Sequence, residues 1–298
     1  MNFDRPVCTG YLCLSAALAL WGSGCGDNTD SNGTASADLA SQSYTIRFAA
    51  LVGDQPFTCG STYSNIGTTN TTIRPLDFRL YIHNPVLVRA TGEKVPLRLD
   101  QDRTWQRDRV ALLDFEDGTG LCATGSPSTN VQLVGAAAPH SDYTGLEFDV
   151  GLPPELNHLD AATAPAPFNS PGLWWSWAGG YKFMRLDVAS TGNEAWYIHL
   201  GSSNCTGKVS TGFTCQRNNL PHVVLTGFNP ATSTVTLNAA TLFQGSDLNA
   251  QINNTTDFVP GCMAFSGDPE CPAIFERLGL TFESDVPSAQ PQTFFGVR

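Results

Sequence analysis

The run Leu173-Trp-Trp-Ser-Trp-Ala-Gly-Gly-Tyr-Lys-Phe-Met184 decides how this chain is read. Aromatic and aliphatic residues flank a Gly-Gly pair, the pattern of a two-residue β-hairpin loop. With Gly179 and Gly180 as that loop, Ala178 pairs with Tyr181, Trp177 with Lys182 and Trp175 with Met184. Trp175 and Trp177, two residues apart on one strand, then share a face of the sheet. The same register sets a thioether directly opposite Trp175. In most proteins such a cluster is core packing, because buried aromatics and methionines commonly fill interiors.

Outward from the hairpin the same texture continues. Ser43–Leu51 alternates polar and apolar residues, and Leu76–Ala90 holds two short runs split by Asn84-Pro85. Val110–Phe115, Tyr143–Val150, Leu173–Trp177, Tyr181–Val188, Ala195–Leu200, Pro221–Phe228 and Thr232–Leu237 follow, separated by Gly, Pro and Asn turns. Only Ala239–Asp247 and Pro272–Leu278 suit helices, and both are short. Short strands at regular spacing predict an all-β fold: a single antiparallel β-sandwich-like domain with long loops and disulfides. The longest structureless insertion is Pro153–Gly172, and loops of that length in compact domains tend to be functional.

The 298 residues carry a net charge of −11 with only 14% charged side chains, which argues against nucleic acid and anionic membrane surfaces as partners. Arg5 precedes a short apolar run, Tyr11 to Gly22, that ends in small residues before Cys25. That run is too short to span a bilayer and is placed like a signal peptide, here of lipoprotein type. Residues 1–24 are read as the leader, Cys25 as the lipidated residue, 25–42 as a polar tether and 43–298 as the folded domain. A lipid anchor is then the only membrane contact.

Export sets the redox compartment. Cys59, Cys122, Cys205, Cys215, Cys262 and Cys271 remain, and six cysteines allow fifteen pairings into three disulfides. Cys205/Cys215 and Cys262/Cys271 are near enough to close short loops, leaving Cys59 with Cys122. No CxxC occurs, so a zinc ribbon, a thioredoxin-type site and a covalently attached c-type haem find no support.

Several blocks together resemble one family, the MbnP-like copper-binding proteins, also called metallo-mystery pair four-Cys proteins. They include Pro56-Phe-Thr-Cys-Gly60, Leu76-Asp-Phe-Arg-Leu-Tyr81, Leu112-Leu-Asp-Phe-Glu-Asp-Gly118 with Cys122, and Val150-Gly-Leu-Pro153. Further along come Leu156-Asn-His-Leu-Asp160, Trp175-Ser-Trp177 with Gly180-Tyr-Lys-Phe183, His199-Leu-Gly-Ser202 with Cys205, and Gly261-Cys-Met263 with Asp268-Pro-Glu-Cys271. The resemblance spans roughly residues 43 to 282. It implies a periplasmic or surface protein that is not an enzyme and binds one copper ion. It also implies that the first tryptophan of WxW, here Trp175, is oxidised to kynurenine by a dihaem partner of the MauG/cytochrome c peroxidase type. Kynurenine then ligates Cu(I) with a histidine and a methionine.

An unmodified indole is a poor ligand because its nitrogen lone pair belongs to the ring, whereas kynurenine offers an amine and a ketone. A thioether and an imidazole suit Cu(I). Past the leader only Met184 and Met263 can supply the thioether: the hairpin register favours Met184, the resemblance favours Met263. Of five histidines, His158 and His199 lie in family-like blocks. His158 sits in the long loop, where a polar side chain can reach a site mouth, so His158→Ala is expected to abolish tight binding and His199→Ala to be milder. His83, His140 and His222 are read as surface residues.

Two rival readings stay open at this level. A metal-free surface lipoprotein could bind glycan or protein through its Trp-rich strand. A hydrolase could use Asp114, Glu116 and Asp117, but these acids fit better as a strand end hydrogen-bonding the amides of a Gly-rich turn. Asn70-Thr-Thr and Asn254-Thr-Thr match glycosylation sequons, which matter only in a eukaryote.

Overall fold

The computed structural model describes residues 40–298 except 124, 251–258 and 285. The leader, Cys25, the tether up to residue 39 and the Asn254 sequon lie outside the described residues. Among the described residues no helix is long and apolar enough to cross a membrane.

In chain order the principal strands are β1 (Gln42–Val52), β2 (Thr71–Arg89), β3 (Val110–Asp114), β4 (Gln132–Ala137) and β5 (Tyr143–Val150). The hairpin strands β6 (Trp174–Ser176) and β7 (Gly180–Tyr181) come next, then β8 (Met184–Ser190) and β9 (Trp196–Leu200). They are followed by β10 (Ser203–Lys208), β11 (Gly212–Arg217), β12 (His222–Thr226), β13 (Thr234–Asn238), β14 (Gly261–Cys262) and β15 (Phe295–Val297). The helices are α1 (Ala239–Leu242) and α2 (Cys271–Arg277), short as expected. Asn238 caps α1 by accepting the Ala240 N–H.

Two sheets make the sandwich. The smaller runs β15-β13-β1-β4 and ends on the short strand Arg98–Leu99; the larger follows the path β12-β5-β2-β8-β9-β14, with β3 also paired to β2. Alternation along β1 turns Ile46, Phe48, Ala50 and Val52 inward. Across the core Phe48 meets Phe148 of β5 edge-on at 6.1 Å, and Tyr44 meets Tyr143 at 5.6 Å. All three disulfides form as the spacing favoured: Cys59–Cys122, Cys205–Cys215 and Cys262–Cys271.

The larger sheet is covered on both faces. Along β2, every residue from 77 to 83 is buried, which one packed face alone cannot produce. The second cover is the Pro153–Gly172 loop together with the β6–β7 hairpin. Tyr81, on the outer face, donates its hydroxyl to the Pro167 carbonyl and packs against Phe168 and Tyr181. The outer layer therefore hangs on side chains that point away from the core.

Three expectations are corrected. Asn84-Pro85 does not split the strand: β2 is continuous, and a bulge with Asn84 in the left-handed region (φ 51°) absorbs the irregularity. His83 is not on the surface; it is 3% exposed, with Nδ1 2.9 Å from the Gly151 carbonyl. In the hairpin, Trp174 pairs with Tyr181 and Ser176 with Gly180, across a register shift. The strand ends at Ser176, so Trp177 lies in the turn and meets Trp174 edge-on at 5.9 Å instead of lining up with Trp175. The two-residue loop fails because Gly180 is itself paired.

Candidate metal centre

The outer face of the larger sheet carries charge where a buried sheet would ordinarily carry leucine. Asp114, Arg79, Arg185 and His199 form one row across β3, β2, β8 and β9, each paired directly with the next. Asp77 and Asp187, also paired, form the adjacent row. Phe78, Leu80, Leu186 and Ile198 alternate with them and are buried on the opposite face.

Buried charges are tolerable only when paired and hydrogen-bonded, and these are. His199 Nε2 lies 2.9 Å from Asp187 Oδ1, and Arg185 Nε donates to Asp187 Oδ2 at 2.6 Å. Arg185 Nη1 reaches Asp77 Oδ2 at 3.1 Å, and Arg79 Nε donates to Asp77 Oδ1 at 2.9 Å. Burial lowers the His199 pKa despite the carboxylate, so the ring is a neutral imidazole. Burial also pushes Asp114 up to about 8, with the neighbouring Glu116 adding to the rise.

Trp175 lies over this face. Its ring is 6.4 Å from that of His199 and 5.6 Å from that of Phe265. Gly201, two residues beyond His199, makes room for it: a Cβ there would stand 2.4 Å from Cζ3 of Trp175 and 2.7 Å from the Tyr181 carbonyl. Trp175 Nε1 and His199 Nδ1 are both buried without a hydrogen-bond partner. Such orphaned groups are uncommon in folded proteins, and two on neighbouring rings call for an explanation.

The methionines separate cleanly. Strand β14 runs parallel to β9, with Tyr197 opposite Gly261 and Ile198 opposite Cys262, so the next residues along the two strands are His199 and Met263. Met263 is half-buried, its N–H donates to Asp268 Oδ2 at 2.9 Å, and the Cys262–Cys271 disulfide ties the preceding residue down. Met184 pairs with Leu200 and Leu80 and is fully buried on the core face, opposite to His199. The register that set Met184 across from Trp175 does not exist, and that argument for it falls.

His158 sits beside the hairpin turn. Its Nδ1 is 2.7 Å from the Trp177 carbonyl, which only accepts, so this nitrogen carries the hydrogen. Nε2 is 3.3 Å from both Cys215 Sγ and Asn157 Nδ2, and the ring stacks on Phe213 at 4.7 Å. Donor atoms of His158, Cys205 and Cys215 lie within 4.8 Å of one another, but the two sulfurs are bonded to each other and neither is a thiolate. Of the residues singled out in the sequence, Trp175 and His199 are thus brought together, and Met263 follows directly on the strand end paired beside His199. His158 borders the group at Trp177, and Met184 is on the other face.

The acidic segment is built into the turn, as its sequence suggested. Glu116 accepts from the Gly118 and Ser126 amides, and Asp117 accepts from Thr119 N–H. Asp187, Arg185, Gly201 and Phe265 were not singled out from sequence. Their signal was present in part: Asp77/Arg79 and Arg185/Asp187 put charges at alternate positions of otherwise apolar strands.

A thioether and an imidazole fixed by a carboxylate are donor types that suit a soft cation, and the indole beside the imidazole would add a donor only once oxidised. No curated protein sequence matches the chain. A solved structure, MbnP from Methylosinus trichosporium, superposes with a TM-score of 0.76 at 30% identity, covering 87% of this chain and 98% of that one. The MbnP family model matches residues 41–264, most of the described chain, and on that match the chain belongs to the MbnP family.

Proposed function

We propose that this protein is an exported copper-binding accessory protein that holds one Cu(I) through His199, Met263 and a kynurenine formed from Trp175. The observation that carries this reading is the pair of orphaned buried nitrogens, His199 Nδ1 and Trp175 Nε1, on rings 6.4 Å apart beside the Met263 segment. Asp187 occupies the other imidazole nitrogen, the arrangement in which a histidine presents its remaining lone pair to a metal. His158 is the further candidate ligand, reaching the site from the loop if its contact to the Trp177 carbonyl opens.

Kynurenine supplies what the indole lacks. Its formation breaks the indole C2–C3 bond, places oxygen on both carbons and releases C2 as formate; the electrons pass to a peroxide-class oxidant at a dihaem MauG/cytochrome c peroxidase-like partner. Trp175 is the better target because Gly201 and Phe265 hold it beside His199, whereas Trp177 is in the turn and 37% exposed. Co-expression with the cognate dihaem protein, followed by peptide mass spectrometry and copper analysis, tests the reading. Trp175 alone should trade a carbon for an oxygen, and one copper per chain should follow. An unmodified Trp175 after exposure to an active partner refutes it.

A further inference from the structure

His199 Nδ1 and Trp175 Nε1 are both buried, so an ion reaches them only when something over them moves. The surrounding elements differ in how firmly they are held. His199 belongs to a strand paired on both sides, by β8 and by β14. The hairpin of Trp175 is tied down through Tyr181, whose hydroxyl donates to the Phe168 carbonyl at 2.6 Å and whose N–H donates to Asn157 Oδ1 at 2.9 Å. The turn that follows Met263 is held differently.

That turn has a fixed base and an exposed tip. At the base, buried Asp268 accepts the Met263 N–H on its side chain and the Cys271 N–H on its carbonyl, and the Cys262–Cys271 disulfide closes the loop. The tip is Phe265, Ser266 and Gly267, all exposed. Ala264 enters it in the left-handed region at φ 58°, and Gly267 leaves it at φ 78°. Phe265 rests on Trp175 at 5.6 Å and is itself 44% exposed, so this one side chain shields part of the indole from water. Within the turn the tip has a long bond, from the Asp268 N–H to the Phe265 carbonyl at 3.2 Å. Its stronger hold comes from outside. Glu283, in the segment after α2, accepts from the Ser266 hydroxyl and from the Gly267 N–H at 2.7 Å. Those two donors favour the carboxylate and hold its pKa below the usual range.

We propose that the Phe265–Gly267 tip is a gate over Trp175, latched shut by Glu283, through which the copper ion enters. The inference rests on the copper reading above and adds the route into that site. Segments with exposed backbone and few hydrogen bonds are the ones that open locally while the rest of a fold stays closed. The bonds of Asp268 at the base do not involve Glu283, so the tip swings while the Met263 backbone stays in place.

The test is hydroxyl-radical labelling of the metal-free, unmodified full chain, read residue by residue by tandem mass spectrometry, with fully buried Trp196 as the reference. Glu283→Ala and Phe265→Ala each change an exposed side chain. Both should raise labelling of Trp175 by at least about fivefold, the effect of losing a hydrogen bond or two from the closed state, and leave Trp196 unchanged. Unchanged labelling of Trp175 in either variant overturns the proposal, as does an equal rise at Trp196. Neither copper nor the oxidase enters this measurement, so it decides on the gate even if the copper reading fails. In the kynurenine-containing protein, Glu283→Ala should also take up Cu(I) from a chelator faster than the parent; uptake at the parent's rate overturns the role of the tip as the copper route.

Discussion

His199 and Asp187 face each other across adjacent strands with 2.9 Å between Nε2 and Oδ1, and the carboxylate is itself gripped by Arg185 at 2.6 Å. Only one nitrogen of the imidazole is therefore available, and its direction is fixed. Asp187→Asn keeps the volume but removes the charge that orients the ring. Cu(I) affinity of the kynurenine-containing protein should fall by about 10–100-fold, read by chelator competition. An unchanged affinity would show that the ring needs no such support.

The histidines should not rank as the sequence suggested. His199 has an orphaned buried nitrogen, whereas both nitrogens of His158 are occupied. His199→Ala is expected to abolish tight Cu(I) binding and His158→Ala to weaken it less. The two variants measured side by side decide between the loop and the strand as the source of the imidazole.

Leucine replacement separates the methionines. Met263→Leu should lose Cu(I) binding while the protein stays folded. Met184→Leu, a volume-conserving swap on the core face, should bind copper like the parent and cost less than about 1.5 kcal/mol in urea unfolding. Loss of copper in Met184→Leu alone would contradict the register described for β8 and β9.

One contribution to stability should be lost as pH rises from 3.8 to about 8. Asp114 keeps its proton up to about 8 in the fold, against an ordinary value of 3.8, because burial and the neighbouring Glu116 disfavour its charge. The folded chain then binds more protons than the unfolded one between those limits. The contribution is complete below pH 3.8 and is lost as pH rises through about 8; Glu116, also raised by burial, acts in the same direction. Melting temperature followed over this range should decline, and Asp114→Asn should flatten the decline. An Asp114→Asn profile that runs parallel to the parent's would exclude a neutral Asp114.

The disulfides should contribute unequally. Cys59–Cys122 spans 63 residues and Cys205–Cys215 spans 10. In the chain-entropy picture the first contributes about 4 kcal/mol and the second about 3 kcal/mol. Serine pairs at each bridge, compared by urea unfolding, should keep that order.

Much of this fold was legible in the chain. Alternation marked β1, short β-type runs marked β3, β5 and β9 nearly to their ends, and cysteine spacing favoured the observed pairing. The hairpin misled because a Gly-Gly pair signals a two-residue loop only when both glycines are unpaired, and Gly180 is in the ladder. His83 looked superficial because nothing in Ile82-His-Asn84 says that a distant loop covers the strand. Gly201 and Phe265 were illegible for a related reason: they matter through contacts to Trp175 that only the assembled outer layer creates.

The parallel pairing of β9 with β14 has a consequence in time as well as space. Trp175, His199 and Met263 belong to three separate segments, and the last joins the others only after a long stretch of chain has been closed into a loop. Contacts of that kind form late, because the entropy of closure is lost before any packing repays it. The donor set therefore does not exist in a partly folded chain. On the proposed function, copper capture would be a checkpoint that only finished molecules pass, and refolding followed through metal uptake should lag behind refolding followed through the burial of Trp196 in the sheet.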